Sequence, residues 1–177
     1  NLKKKIFTIT VSFGGYDKRK LFFFLMKNFH KIDSKYRFNL IFGFEKEKVN
    51  SEILKYISKF ENINTFFRPK NYSDILLKTD LAIISGGLTL IEFLSIGVPT
   101  IALPQYKHQY STIKILENLG CTIMGSKQYK LNWVFFFKIF NNLINNHKLR
   151  KNMSIKGKKI IDSNGKERVS KLISKLL

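Results

Sequence analysis

Short β-rich runs alternate with longer amphipathic stretches along nearly the whole chain, and this alternation restricts the fold more than any other feature. Residues 6–13, 37–44, 63–67, 81–85, 100–103 and 121–124 read as strands. Residues 19–32, 50–60, 73–78, 89–96 and 109–119 read as the intervening helices, and 131–146 with two further stretches toward the C-terminus continue the helical pattern. Leu21, Phe22, Leu25, Phe29 and Ile32 share one helical face, as do Ile53, Leu54, Ile57 and Phe60. Such a series of β-α units predicts an α/β fold: a Rossmann-like doubly wound parallel sheet of about six strands, with helices on both faces because right-handed crossovers place them there. The first strand is the exception to a uniformly apolar pattern. Thr8, Thr10 and Ser12 alternate with Phe7, Ile9, Val11 and Phe13, which suits a half-exposed strand, although threonine fits strands well and its hydroxyl can be satisfied locally. No repeat, low-complexity linker or boundary interrupts residues 1–177, which reads as one domain.

In open parallel sheets, ligands gather at the carboxyl ends of the strands. Two Gly-Gly pairs fall at such ends, in Ser12-Phe13-Gly14-Gly15-Tyr16-Asp17 and in Ser85-Gly86-Gly87-Leu88-Thr89. Glycine there admits positive φ and close backbone approach, and free amides at a helix start bind phosphate oxygens. One pair would be ordinary turn geometry; two on different strands of one sheet edge point to a diphosphate. Neither is a P-loop, since no Gly-Lys-Ser/Thr follows, and neither has the full dinucleotide spacing. Glu92, one turn into the next helix, has the chemistry to accept hydrogen bonds from both hydroxyls of a ribose. Thr89-x-x-Glu92 is equally a capping box with Thr89 as N-cap, and spacing leaves the two readings open.

Charge invites a different reading. Lys and Arg number 32 against 12 Asp and Glu, a net charge of +20, which is the electrostatic footprint of a polyanion binder. Only five of the 32 are Arg, however, and the chain is rich in Lys, Asn, Ile and Phe with two Ala, the residue usage of an AT-rich coding sequence. Arg, whose planar fork grips phosphate with two hydrogen bonds, is scarce, so the balance argues against a nucleic-acid partner. Residues 127–177 carry 13 basic and two acidic groups, which makes the C-terminal third the part suited to peripheral contact with an anionic membrane. No apolar run reaches the length of a membrane span, so the expected location is the cytoplasm or the inner face of its membrane. The chain opens with Asn1 and not Met, as a processed chain or a piece of a longer protein would. A single cysteine, Cys121, permits no internal disulfide. His30, His108 and His147 form no cluster, no Cys/His spacing suggests zinc, and no metal or cofactor is expected.

The segment Ser85-Gly86-Gly87-Leu88-Thr89-Leu90-Ile91-Glu92, with Gly97-Val98-Pro99 and Gln109 following, resembles the C-terminal nucleotide-binding domain of GT-B enzymes related to MurG. Val11-Ser12-Phe13-Gly14-Gly15-Tyr16-Asp17 and Ile161-Asp162-Ser163-Asn164-Gly165-Lys166-Glu167-Arg168-Val169 are most similar to the PseG/SpsG-like members, of which PseG is a UDP-sugar hydrolase of pseudaminic acid synthesis. The resemblance runs from about residue 6 to the C-terminus. It implies that Glu92 binds the ribose, that Ser85, Gly86, Gly87, Leu88 and Thr89 line the diphosphate with Gly14 and Gly15 opposite, and that the stretch from Arg68 to Tyr72 borders the uracil. Gln109 would face the sugar or phosphate, or else serve as a polar residue at a helix start. Asp162, Gly165 and Arg168 match the closing motif, read as a structural turn and helix, although Ser163-Asn164 departs from its usual Gly-containing form.

The same resemblance implies that the chain is half of a two-domain enzyme whose partner is an N-terminal GT-B domain or a separate chain. The catalytic residue would belong to that other half, since nothing here matches its Gly-rich histidine motif. This half would hold a UDP-sugar and, alone, bind without turnover. The enzyme would be a nucleotide-sugar hydrolase or a MurG-like UDP-N-acetylhexosamine glycosyltransferase.

Overall fold

Six parallel strands form one sheet in the order β3-β2-β1-β4-β5-β6. They are β1 (Thr8–Ser12), β2 (Arg37–Phe42), β3 (Ile63–Phe67), β4 (Leu81–Ser85), β5 (Thr100–Leu103) and β6 (Ile123–Met124). The computed structural model describes residues 2–127, 129–162 and 164–176; Asn1, Gln128, Ser163 and Leu177, the third within the closing motif, lie outside the described residues. The helices are α1 (Leu21–Met26), α2 (Ser51–Ile57), α3 (Tyr72–Leu77), α4 (Leu88–Ser95), α5 (Lys107–Asn118), α6 (Trp133–Asn145), α7 (His147–Ile160) and α8 (Gly165–Ile173).

Alternation along the central strands creates two cores. Leu81, Ile83, Ile101 and Leu103 face a cluster that also holds Leu21, Phe22 and Leu25 of α1 and Phe136, Phe140 and Leu143 of α6. Ala82, Ile84 and Ala102 face the other side, where Leu90, Phe93 and Leu94 of α4 meet Ile113 and Leu116 of α5. The small alanines there let those helices approach the sheet closely. Residues apolar on both faces, as in β4, are the mark of a strand covered twice.

The polar alternation of β1 has a local solution. Thr10 is fully buried, and its hydroxyl lies 2.6 Å from that of Thr79, which donates to the Ile75 carbonyl at 2.7 Å. Strand β1 is thus buried on both sides from Ile9 onward, with the Thr10 hydroxyl paired at the end of α3.

The expected helix over residues 19–32 is divided. Asp17 accepts the amides of Leu21 and Phe22, both at 2.8 Å, so α1 starts at Leu21, after Lys20 in the left-handed region at φ 53°. It stops at Met26, and Phe29–Lys31 forms a separate 3-10 turn in which Phe29 packs edge-on against Phe38 and Phe60. A continuous helix loses to the burial of that ring.

At the amino edge of the sheet, Arg150 of α7 is completely buried. It donates to the carbonyls of Leu143, Ile144 and Lys4, closing the end of α6 and fastening the N-terminal segment. Burial holds its pKa below the ordinary value, against the opposing charge of Asp80. Asp80 itself accepts the amides of Phe7 and Thr8 and pairs with Lys3 at 2.9 Å. No helix among the described residues is long and apolar enough to cross a membrane.

Candidate functional site

Strands β1 and β4 are neighbours, but the chain leaves them toward opposite faces, α1 into one core and α4 into the other. Their carboxyl ends therefore flank the crevice that open α/β sheets use for ligands. Both Gly-Gly pairs lie there. Gly14 has φ 78°, and Cβ atoms on Gly14 or Gly15 would meet nothing within 4 Å, so this loop presents open backbone. Gly86 differs: a Cβ there would stand 2.7 Å from Ile113 Cδ1, so the absence of a side chain serves the packing of α5.

Helix α4 begins immediately after Gly87, which is its N-cap, and no side chain caps it. Thr89 is therefore inside the first turn, and the capping box expected as one alternative is not formed; the extended backbone of Gly87 ends the loop two residues earlier. The Glu92 side chain is exposed and, among the described residues, has no ion-pair or hydrogen-bond partner. Nearby, the Tyr72 hydroxyl is buried without a well-formed hydrogen bond among the hydroxyls of Thr89 and Ser12. Burial, the Glu92 charge adding to it, pushes its pKa up to about 12. Ser12, Tyr72, Thr89 and Glu92, from three separate elements, thus converge beside the open amides of α4.

A second set of contacts ties this edge together. Gln105, just past β5 and 2% exposed, donates from Nε2 to Asp17 at 2.9 Å and to the Phe13 carbonyl at 3.5 Å, while its Oε1 accepts the Arg19 amide at 3.0 Å. Arg19 donates to the Pro104 carbonyl at 2.6 Å and to that of Tyr129, and its guanidinium lies 4.0 Å from the Tyr129 ring centre. Burial lowers the pKa of Arg19, opposed by Tyr129 and Asp17. The Tyr129 hydroxyl closes the set by donating to the Gln105 carbonyl at 2.7 Å.

No family model matches the chain. It is 24% identical over 177 residues to the spore coat polysaccharide biosynthesis protein SpsG of Bacillus subtilis, a match covering 99% of this chain and 52% of that one. The solved structure of Acinetobacter baumannii MurG superposes with a TM-score of 0.78 at 18% identity, over 99% of this chain and 54% of that one. The UDP-GlcNAc 2-epimerase of Neisseria meningitidis bound to UDP-GlcNAc superposes with a TM-score of 0.65 at 14% identity, over 97% and 45%. The chain has the GT-B C-terminal fold of the MurG type. It spans about half the length of these GT-B relatives.

Gln109, Leu88, Ser85 and Arg68 were also expected at the site. Gln109 sits in the first turn of α5, which starts at Lys107, two residues before the expected bound. It is buried, and its Oε1 accepts the Gln105 amide at 2.8 Å, which leaves Nε2 facing Gly87. Leu88 is exposed at the start of α4, and Ser85 is buried at the end of β4. Arg68, at φ 41° after β3, pairs with Glu45 in the loop after β2. Hydrogen bonds from its own amide and from Lys48 and Arg68 hold the Glu45 carboxyl down to about 2. Asp162 pairs with Arg168 at 2.6 Å and accepts the Asn164 amide at 3.1 Å, just ahead of α8. Helix α8 buries none of its residues and exposes Val169, Leu172 and Ile173.

Sequence reasoning passed over Gln105, Arg19, Tyr129 and Gly43. Gly43 follows β2 and supports the first glycine loop. The available signal was position: Pro104-Gln105 and Gly43 each follow a strand directly, as Gly86-Gly87 does.

Proposed function

We propose that this chain is the UDP-sugar-binding half of a GT-B enzyme of surface-polysaccharide or nonulosonic acid synthesis, of the SpsG-like nucleotide-sugar hydrolase kind. The observation that carries the reading is the exposed Glu92 carboxylate, without a partner among the described residues, behind the capless start of α4 and beside Tyr72 and Ser12. Glu92 accepts the two ribose hydroxyls, a task for which a free carboxylate has enough acceptor positions. The amides of Gly87, Leu88 and Thr89, with Gly14 and Gly15 across the crevice, receive the diphosphate, and the α4 dipole favours its charge. Tyr72 borders the base, and Gln109 Nε2 faces the phosphate or sugar. When the bond to the sugar breaks, charge grows on the departing UDP, and fixed amides aimed at it lower the barrier. The acid-base group for that step comes from the half of the enzyme outside this chain, which also covers the site. The cytoplasm or the inner membrane face is the expected place of work, α8 with its lysines being the part turned toward anionic lipid.

The match to SpsG, over 99% of this chain and 52% of that one, supports a role in polysaccharide synthesis, the hydrolase resting on the likeness of the two terminal motifs to the PseG/SpsG-like members; the superposition on MurG supports a glycosyltransferase as the second reading. Calorimetric titration with UDP and ADP tests the shared part. UDP binding with at least a tenfold preference over ADP, about 1.4 kcal/mol, is expected. Equal binding of both, or of neither, overturns it. Product analysis on the complete enzyme with a UDP-sugar, with and without an acceptor, then separates hydrolysis from transfer.

A further inference from the structure

Gln105 stands at the end of β5, while Asp17, Phe13 and Arg19 belong to the loop after β1. These strands are not neighbours, because β4 lies between them. With adjacent strands about 4.8 Å apart, a direct link from β5 to β1 must pass over the end of β4. That end is Ser85-Gly86-Gly87, the start of the second glycine loop. Gln105 therefore straps the first glycine loop across the exit of the second.

The strap has a chemical requirement. Gln105 donates to the Asp17 carboxylate with one side-chain atom and accepts from the Arg19 amide with the other. A carboxylate at 105 lacks the donor, and an aliphatic side chain lacks both. Its backbone amide donates to Gln109, whose own Nε2 faces Gly87, so the same residue also orients the polar side chain nearest the second loop. Asp17 is in turn the residue that starts α1 by accepting two of its amides. A buried polar cluster of this kind gives no more stability than an apolar one of equal volume, but it permits only one arrangement of the loops.

We propose that Gln105 is a positioning residue of the nucleotide site: it holds the Gly14-Gly15 amides and the start of α4 at the separation that receives a diphosphate, without itself touching the nucleoside. This rests on the UDP reading above. It predicts a loss confined to the phosphate part of the ligand, which general loosening of the fold would not produce.

The test is titration of the 177-residue chain with UDP and with uridine, followed by amide chemical shifts. Gln105→Leu should weaken UDP by about tenfold or more while changing uridine by less than about twofold, the scale of a lost supporting hydrogen bond. Equal losses for both ligands, or an unchanged UDP affinity, overturn the inference. Gln105→Met keeps the length and volume of the side chain with neither donor nor acceptor. It should weaken UDP by about tenfold or more and uridine by less than about twofold, and this variant decides the matter if Gln105→Leu fails to fold. Equal losses for both ligands, or an unchanged UDP affinity, overturn the inference here too. If the unsubstituted chain binds neither ligand, the nucleotide reading falls first and the inference with it; if it binds both, the variants judge Gln105 alone.

Discussion

Gly43 packs so tightly beneath Gly14 that a Cβ on Gly43 would stand 2.6 Å from the Gly14 carbonyl oxygen and 2.8 Å from the Gly15 Cα. Both neighbours are backbone, so neither can rotate away. Gly43→Ala should therefore push the first glycine loop outward, costing about 1–3 kcal/mol of stability and weakening UDP binding. Gly15→Ala, whose Cβ would meet open space, is the control and should change stability by less than about 1 kcal/mol. Urea unfolding and UDP titration of the two variants check this.

Glu92→Gln should weaken UDP binding by about 10–100-fold, the loss of a charged acceptor for the ribose hydroxyls. Stability should stay within about 0.5 kcal/mol, because the carboxylate is exposed and holds no partner among the described residues. A large fall in melting temperature with unchanged affinity would assign Glu92 to the helix instead.

Arg150→Met should cost about 3 kcal/mol or more in urea unfolding. It leaves the carbonyls of Leu143, Ile144 and Lys4 without their donor in a fully buried place. UDP affinity of the folded fraction should not change, since Arg150 supports the amino edge of the sheet and the crevice lies at the carboxyl edge.

Tyr72 gives a pH signature. Its pKa is raised to about 12 in the fold, against about 10 in an unfolded chain. Below pH 10 both states keep the proton, and this hydroxyl contributes nothing to the pH dependence. Between pH 10 and 12 the unfolded state releases its proton first, so stability falls as pH rises and levels off above 12. Absorbance titration at the tyrosinate band should show a late-ionising group that Tyr72→Phe removes, and the variant should lose that part of the alkaline slope in unfolding experiments.

Much of the strand pattern was legible, because each of β3, β4 and β5 has Asn, Gly or Pro at one end at least, and β4 is apolar up to Ser85. The helix from residue 19 was not. Its periodicity continues through Phe29, and only the fit of that ring between Phe38 and Phe60 divides it. Thr89-x-x-Glu92 left two readings open for a similar reason, since a capping box and a helix already begun at Leu88 have the same local spelling.

The sequence by itself determined the β-α succession, the two glycine loops at strand ends and the placing of Glu92 just behind one of them. These depend on periodicity and turn chemistry within a few residues, which the local chain carries. Only the tertiary structure decided that β1 and β4 lie side by side, that Gly86 yields to Ile113, and that Gln105 meets Asp17. The last pair is separated by 88 residues, and contact at such distances follows from strand order and packing, which no local pattern encodes.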